Sequence, residues 1–295
     1  MALHYVERPA PSALAPAIEC VWSVSDRAVR ASRPADRVIP DGCPELIVHL
    51  AQRYARLIDG RPIQQPAAFF AGTLSRPWIV QAPPRVATIG VRFRPGGVTA
   101  LFGASIAGTA DREVPLDELP APLGALAAAI RRARGPAAAR RAAEVWLQTH
   151  VAARQADDAA GAQGAAPARL SAPACAAAVR AIRRRRGRIG VDELASAVGL
   201  SRRRLERLFR RETALSPKQF IRIVRLTALL RRLGSPDRDR LIDVALDAGY
   251  FDQAHMARDF KALTARRASA SPSADGELAI HFTRPDRLLR LLAAE

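Results

Sequence analysis

VDELASAVGLSRRRLERLFRRE (191–212) and LIDVALDAGYFDQAHMARDFK (241–261) are two versions of one pattern. In each, a small residue, Ala195 or Ala245, stands four positions before a glycine, Gly199 or Gly249. A small residue lets two helices cross closely, and a glycine can take the left-handed conformation that ends the first of them. A short turn then leads into a second helix with apolar anchors on one face. This is a helix-turn-helix, whose second helix is free to offer its polar face to a DNA major groove. Between the units, SPKQFIRIVRLTALLRRLG (216–234) opens on a cap and first-turn proline, Ser216 and Pro217. It carries an apolar seam of Phe220, Ile223, Val224, Leu226 and Leu230 and closes at Gly234. A helix of about 17 residues spans about 25 Å. It can hold two recognition helices near successive major-groove faces, ~34 Å apart along DNA.

Charge supports a polyanion partner through its distribution more than through its total. The 295 residues carry a formal net charge of +18, and Lys218 and Lys261 are the only lysines. An arginine-rich, alanine-rich chain suggests coding bias, which would spread charge evenly. Residues 173–270 instead hold 23 Arg and Lys against 10 Asp and Glu, whereas residues 1–172 hold 20 against 14. A basic module within a less basic chain is the footprint of a nucleic-acid binder. No run approaches the roughly 18 apolar residues that span a bilayer, and the N-terminus lacks the pattern of a signal peptide, so a cytoplasmic protein is expected. Cys20, Cys43 and Cys175 are odd in number and widely spaced, which points to neither a disulfide framework nor a structural zinc site.

The expected fold class is α+β: an N-terminal mixed β/α domain, then an all-α domain with two helix-turn-helix units joined by a linker helix. RVIPDGCPELIVHL (37–50) reads as strand, turn, strand around Pro-Asp-Gly. ATIGVRFRPGG (87–97) alternates, with Ile89, Val91 and Phe93 on one face and Thr88, Arg92 and Arg94 on the other. Prolines between 62 and 84 fit short connected strands. PLDELPAPLGALAAAIRRAR (115–134) and PAAARRAAEVWLQTHV (136–151) read as two helices. Residues 152–172 are poor in bulky apolar groups and read as a linker. The expected organisation is therefore a sensor-like or dimerisation domain over 1–151, a linker over 152–172, the paired units over 173–270 and a tail over 271–295.

In the first unit, Ser201 is placed to cap a helix whose buried stripe is Leu205, Leu208 and Phe209. That leaves Arg202, Arg203, Glu206, Arg207 and Arg210 on the open faces. Arginine suits bidentate bonding to guanine, and a carboxylate can accept from cytosine N4. In the second, Met256 and Phe260 point inward, while Gln253, Ala254, His255 and Arg258 face outward. Gln253 suits adenine and Arg258 a phosphate or guanine.

LASAVGLSRRRLERLFRRETALSPKQFIRIVRL and ALDAGYFDQAHMARDFK together resemble the C-terminal DNA-binding domain of the AraC/XylS transcription regulators, over about residues 176–268. The resemblance implies seven helices, two major-groove insertions and base contact by Arg203, Glu206, Arg207, Gln253, His255 and Arg258. The chain departs from the family at Ala214, where glycine is usual, and at Ala265-Arg266-Arg267-Ala268, where the family has Gly-x-x-Pro. The implied partner is double-stranded operator or promoter DNA, with RNA polymerase as a second if the regulator activates.

PDGCPEL and GVRFRPGG resemble an uncharacterised sensor-like domain found on such regulators, over roughly residues 5–120. The resemblance implies a small-molecule effector or a homodimer contact. His4 and His49 stand apart from other ligands, so no metal is expected, and no cofactor or catalytic set emerges. Asp41 and Glu45, flanking the turn, read as turn and surface residues. One rival function remains. Some relatives of these regulators are DNA alkylation-repair methyltransferases with an activated cysteine, and Cys43 would have to play that part.

Overall fold

The computed structural model describes residues 4–26, 35–159, 173–233, 245–246 and 248–265. The expected tail (271–295), Gly234 and the start of the second helix-turn-helix (241–244) lie outside the described residues, as do Arg266, Arg267 and Ala268.

The N-terminal domain is built on two antiparallel sheets. The larger has six strands in the order β1 (His4–Pro9), β2 (Ile18–Ser25), β9 (Ala87–Phe93), β4 (Glu45–His49), β7 (Ala68–Ala71) and β10 (Glu113–Val114). The smaller runs β3 (Ala35–Val38), β8 (Trp78–Gln81), β5 (Ala55–Ile58) and β6 (Arg61–Gln64). The chain changes sheet between β3 and β4, at the Pro-Asp-Gly turn read from the sequence. Gly42 in that turn has a φ of +84°, which glycine takes without strain.

Alternation in the central strand β9 sorts its residues between two apolar layers. Ile89, Val91 and Phe93 join Val21, Leu46 and Phe70 in a core shared with α1 (Gly97–Phe102), α2 (Ala121–Arg132) and α3 (Pro136–Ala159). On the other side of the sheet, Trp22, Ile47 and Phe69 meet Trp78 and Val80 of the smaller sheet. The polar face of β9 is therefore covered as well: Thr88 and Arg92 are 1% and 2% exposed. Period-2 patterning separates the two faces of a strand but does not report that a second sheet lies over the polar one. The Pro-Gly-Gly that follows has its own packing reason, since a Cβ on Gly97 would fall 2.0 Å from the Ala17 carbonyl oxygen.

Helix α3 begins at Pro136 as expected but continues to Ala159, so residues 152–159 of the anticipated linker are helical. Residues 160–172 lie outside the described set. The C-terminal region contains α4 (Pro173–Arg184), α5 (Val191–Ala197), α6 (Arg202–Thr213), α7 (Pro217–Leu233) and α8 (Gln253–Thr264). Their apolar faces enclose one core that includes Ile182, Leu194, Leu205, Phe209, Phe220 and Met256.

Candidate nucleic-acid interface

Local chemistry fixes where each recognition helix starts. Ser201 Oγ accepts from the Arg204 amide at 3.4 Å at the head of α6. Asp252 accepts from the His255 amide at 2.6 Å at the head of α8. Both turn glycines are left-handed, Gly199 at +66° and Gly249 at +83°, and Ala195 and Ala245 are buried at the crossings. Ser216 and Gln219 cap α7 reciprocally: the Gln219 amide donates to Ser216 Oγ, and the Ser216 amide donates to Gln219 Oε1 at 2.9 Å. Helix α7 is 17 residues long, which corresponds to about 25 Å.

On α6, Arg202, Arg203, Arg207 and Arg210 are exposed and Glu206 is half-buried. Arg202 is held between Asp192 of α5 (3.4 Å) and Glu206 one turn on (3.3 Å), so it braces α5 against α6 and orients the Glu206 carboxylate. Arg203, Arg207 and Arg210 make no ion pair among the described residues. On α8, Gln253, Ala254 and Arg258 are exposed. His255 is half-buried against the Tyr250 ring, with centroids 5.3 Å apart, and its Nε2 lies 3.9 Å from Asp259.

Asp259 was not singled out by sequence reasoning. It is 5% exposed, and its Oδ1 accepts from Arg222 Nε at 2.9 Å and sits 2.8 Å from a terminal nitrogen of the same guanidinium. The pair ties the second recognition helix to α7. Asp259 and Arg222 are 37 positions apart, so only the fold reveals the partnership.

The N-terminal domain bonds directly to the first recognition helix. A helix leaves its last carbonyls without intrahelical donors. The amide of Gly96 donates to Glu212 O at 3.1 Å, and that of Ile106 to Arg211 O at 3.0 Å. Ser105 Oγ donates to Arg211 O at 3.4 Å. The helix ends on Ala214, left-handed at φ +61°, and Ala214 packs on the N-terminal core. Ala265 ends α8 in the same way at +57°. The two alanines that stand where the family has glycine thus occupy left-handed caps. A second contact is made by the β3–β4 turn, whose Ile39 packs on the C-terminal core. A Cβ on Gly42 would lie 2.7 Å from the Phe220 ring of α7.

The same turn walls a cavity between the two sheets, about 620 Å³ counted out to its mouth. Asp41 and Glu45 belong to this interior rather than to the surface expected of them. Arg92 Nε lies 2.5 Å from Glu45 Oε1 and 3.6 Å from Asp41 Oδ2. Burial raises both carboxyls above their ordinary range, and Arg92 opposes that shift. Burial, with Asp41 beside it, likewise pushes the Cys43 thiol up to about 12. A nucleophilic cysteine needs the opposite shift. Among the described residues no cluster of three His, Cys, Asp or Glu could hold a metal ion, and no helix is long and apolar enough to cross a membrane.

Residues 194–271 match a family described as a helix-turn-helix domain, and residues 6–115 match one described as a domain of unknown function. No curated protein matches the chain. Among solved structures, ToxT from Vibrio cholerae aligns over 84% of this chain and 96% of its own, with 6% identity and a TM-score of 0.43. A structure of unsaturated fatty acid bound wild-type ToxT from Vibrio cholerae strain SCE256 covers 82% and 95%, with 8% identity and a TM-score of 0.40. The AraC-like transcriptional activator CuxR covers 76% and 94%, with 15% identity and a TM-score of 0.26. These likenesses are too weak to carry an argument, and the assignment stands on the matched domain and its motifs. The C-terminal region of this chain is a helix-turn-helix domain of the AraC type.

Proposed function

We propose that the chain is a sequence-specific transcription regulator of the cytoplasm that sets α6 and α8 into successive major-groove segments of double-stranded DNA. The observation that carries this reading is the pair of turn–helix units on either side of α7. Each has a left-handed glycine, a capped recognition helix and an exposed polar face. Arg203 and Arg207 are the groups for guanine edges, and Glu206, oriented by Arg202, is the acceptor for cytosine N4. Arg210, further along the helix, suits a phosphate. On α8, Gln253 suits adenine, Arg258 a guanine or phosphate, and Ala254 a thymine methyl. His255 completes this face from its seat on Tyr250.

The regulator responds, in this reading, to a small effector bound in the N-terminal domain. The support is the shared turn: Asp41 and Cys43 wall the cavity, and Gly42 between them lies against Phe220 of α7. A ligand that shifts this turn shifts the helix between the two readers. RNA polymerase would be a further partner if the protein activates, and the N-terminal domain is the candidate surface for a homodimer. The raised Cys43 thiol gives the alkyl-transfer alternative no support.

The test is a gel-shift titration of the full chain on DNA selected from a random pool. Arg203→Ala or Arg207→Ala is expected to cost ~1–3 kcal/mol and to relax preference at one base pair. Wild-type affinity and specificity in both variants would rule out α6 as a reader.

A further inference from the structure

The cavity between the sheets of the N-terminal domain has a lining that discriminates among ligand chemistries. Its free interior is small, about 50 Å³, which suits a compact ligand rather than a drug-sized one. Trp22, Tyr54 and Trp78 give it aromatic walls, and the rest is divided between aliphatic side chains and a polar set that includes Asp41, Glu45, His49 and Gln65. Such a lining favours a flat ring over a flexible chain.

The charges at one end are already matched to each other. Glu45 Oε1 accepts from Arg92 Nε at 2.5 Å and from Trp22 Nε1 at 3.2 Å. Asp41 Oδ1 accepts from the Cys43 amide at 2.9 Å, and Arg92 and Arg183 both act on the Asp41 carboxylate. A ligand anion would meet Asp41 and Glu45 on the wall while Arg92 stands engaged behind them. A ligand cation would have to compete with an arginine that is already paired. Neither gains enough to offset its desolvation. His49 reports the same environment, since burial lowers its pKa to about 4 and keeps the ring neutral.

One hydrogen-bond donor on the wall is left to a ligand. Trp78 is 4% exposed, and its Nε1–H has no acceptor among the described residues. His49 is already engaged, its Nδ1 with Thr88 Oγ1 at 3.0 Å and its ring with the Gln65 side chain, so it stands beside a ligand as a neutral wall group. We infer that the cavity takes an uncharged, single-ring aromatic molecule bearing a hydroxyl or carbonyl oxygen, which accepts from Trp78 Nε1–H and lies beside His49. The inference rests on the effector-responsive reading above and names the class of effector.

The test is isothermal titration calorimetry of the full chain, without DNA, against p-cresol, 4-methylbenzoate, 4-methylbenzylamine and oleate. The first three share a ring and differ in head-group charge, and the fourth is an anionic chain. Saturable binding of p-cresol is expected, with the charged compounds at least about tenfold weaker. Trp78→Phe keeps the ring and deletes the donor, and should weaken p-cresol by about five- to tenfold. Leu74→Trp, which adds volume at the wall, should abolish binding, with both variants still shifting DNA. No saturable p-cresol binding, equal or tighter binding of any charged compound, or an unaffected Trp78→Phe would overturn the ligand class. Binding of p-cresol that leaves DNA affinity unchanged would instead sink the effector reading and leave the ligand class standing.

Discussion

Replacing Gly42 by alanine should separate the two domains more than it damages either. Gly42 sits at φ +84°, where an L-residue costs about 1–2 kcal/mol. Its added Cβ would lie 2.7 Å from Cε2 and 3.3 Å from Cζ of Phe220, both in the stiff ring of a buried side chain. Overpacking of that kind costs roughly 1–3 kcal/mol. Together Gly42→Ala should cost about 2–5 kcal/mol while the turn and α7 remain docked. Gly60→Ala is the control. Gly60 has φ +77° with nothing within 4 Å of its Cβ position, so it carries the backbone strain alone. Differential scanning calorimetry should show a loss of ~2–4 °C for each kcal/mol, larger for Gly42→Ala by the contact part. If relief comes by undocking, one transition should split into two, and a protease should cut between the domains. Equal losses in both variants, with a single transition in each, would refute the contact between the turn and α7.

Three further outcomes follow from particular residues. Ala214→Gly, at a left-handed cap, should raise stability by about 0.5–1 kcal/mol in chemical denaturation, and a loss would contradict the strain assigned to it. Arg222→Met removes the guanidinium that pairs with buried Asp259, and should cost roughly 2 kcal/mol, discounted because Arg222 is a third exposed. It should also weaken DNA binding through α8, and an unchanged midpoint would show the pair to be idle. For His49 the folded pKa, about 4, lies below the unfolded value of about 6.5. The unfolded chain therefore binds a proton that the folded chain refuses. Stability should fall as pH drops from about 6.5 towards 4, by up to ~1.4 kcal/mol per pH unit. His49→Gln should flatten that slope relative to wild type, and parallel pH profiles would remove His49 as its source.

The C-terminal region was legible because its determinants are local. Ser201 caps within three residues, Gly199 and Gly249 take left-handed turns, and Leu205 and Phe209 share a face by simple period. The strands about Pro-Asp-Gly and before Pro-Gly-Gly were legible for the same reason. What those turns do was not. Gly42 meets a ring at position 220, and Gly96 donates to the carbonyl of residue 212. No spacing in the sequence records contacts over such separations. The burial of Arg92 and Glu45 escaped because charge and alternation both suggest a wet face, and only the second sheet reverses that. The linker beginning at 152 was misplaced because an alanine-rich, polar helix has no bulky stripe to distinguish it from coil.

The central claim is that two helices of one domain read two places on one DNA. Its most direct measurement is selection of bound sites from random DNA with the full chain, repeated with Arg203→Ala and with Arg258→Ala. The account predicts a bipartite site with halves about one helical turn apart, ~10 base pairs. The α6 variant should degrade one half and the α8 variant the other. A single undivided motif, or two variants that alter the same positions, would contradict it.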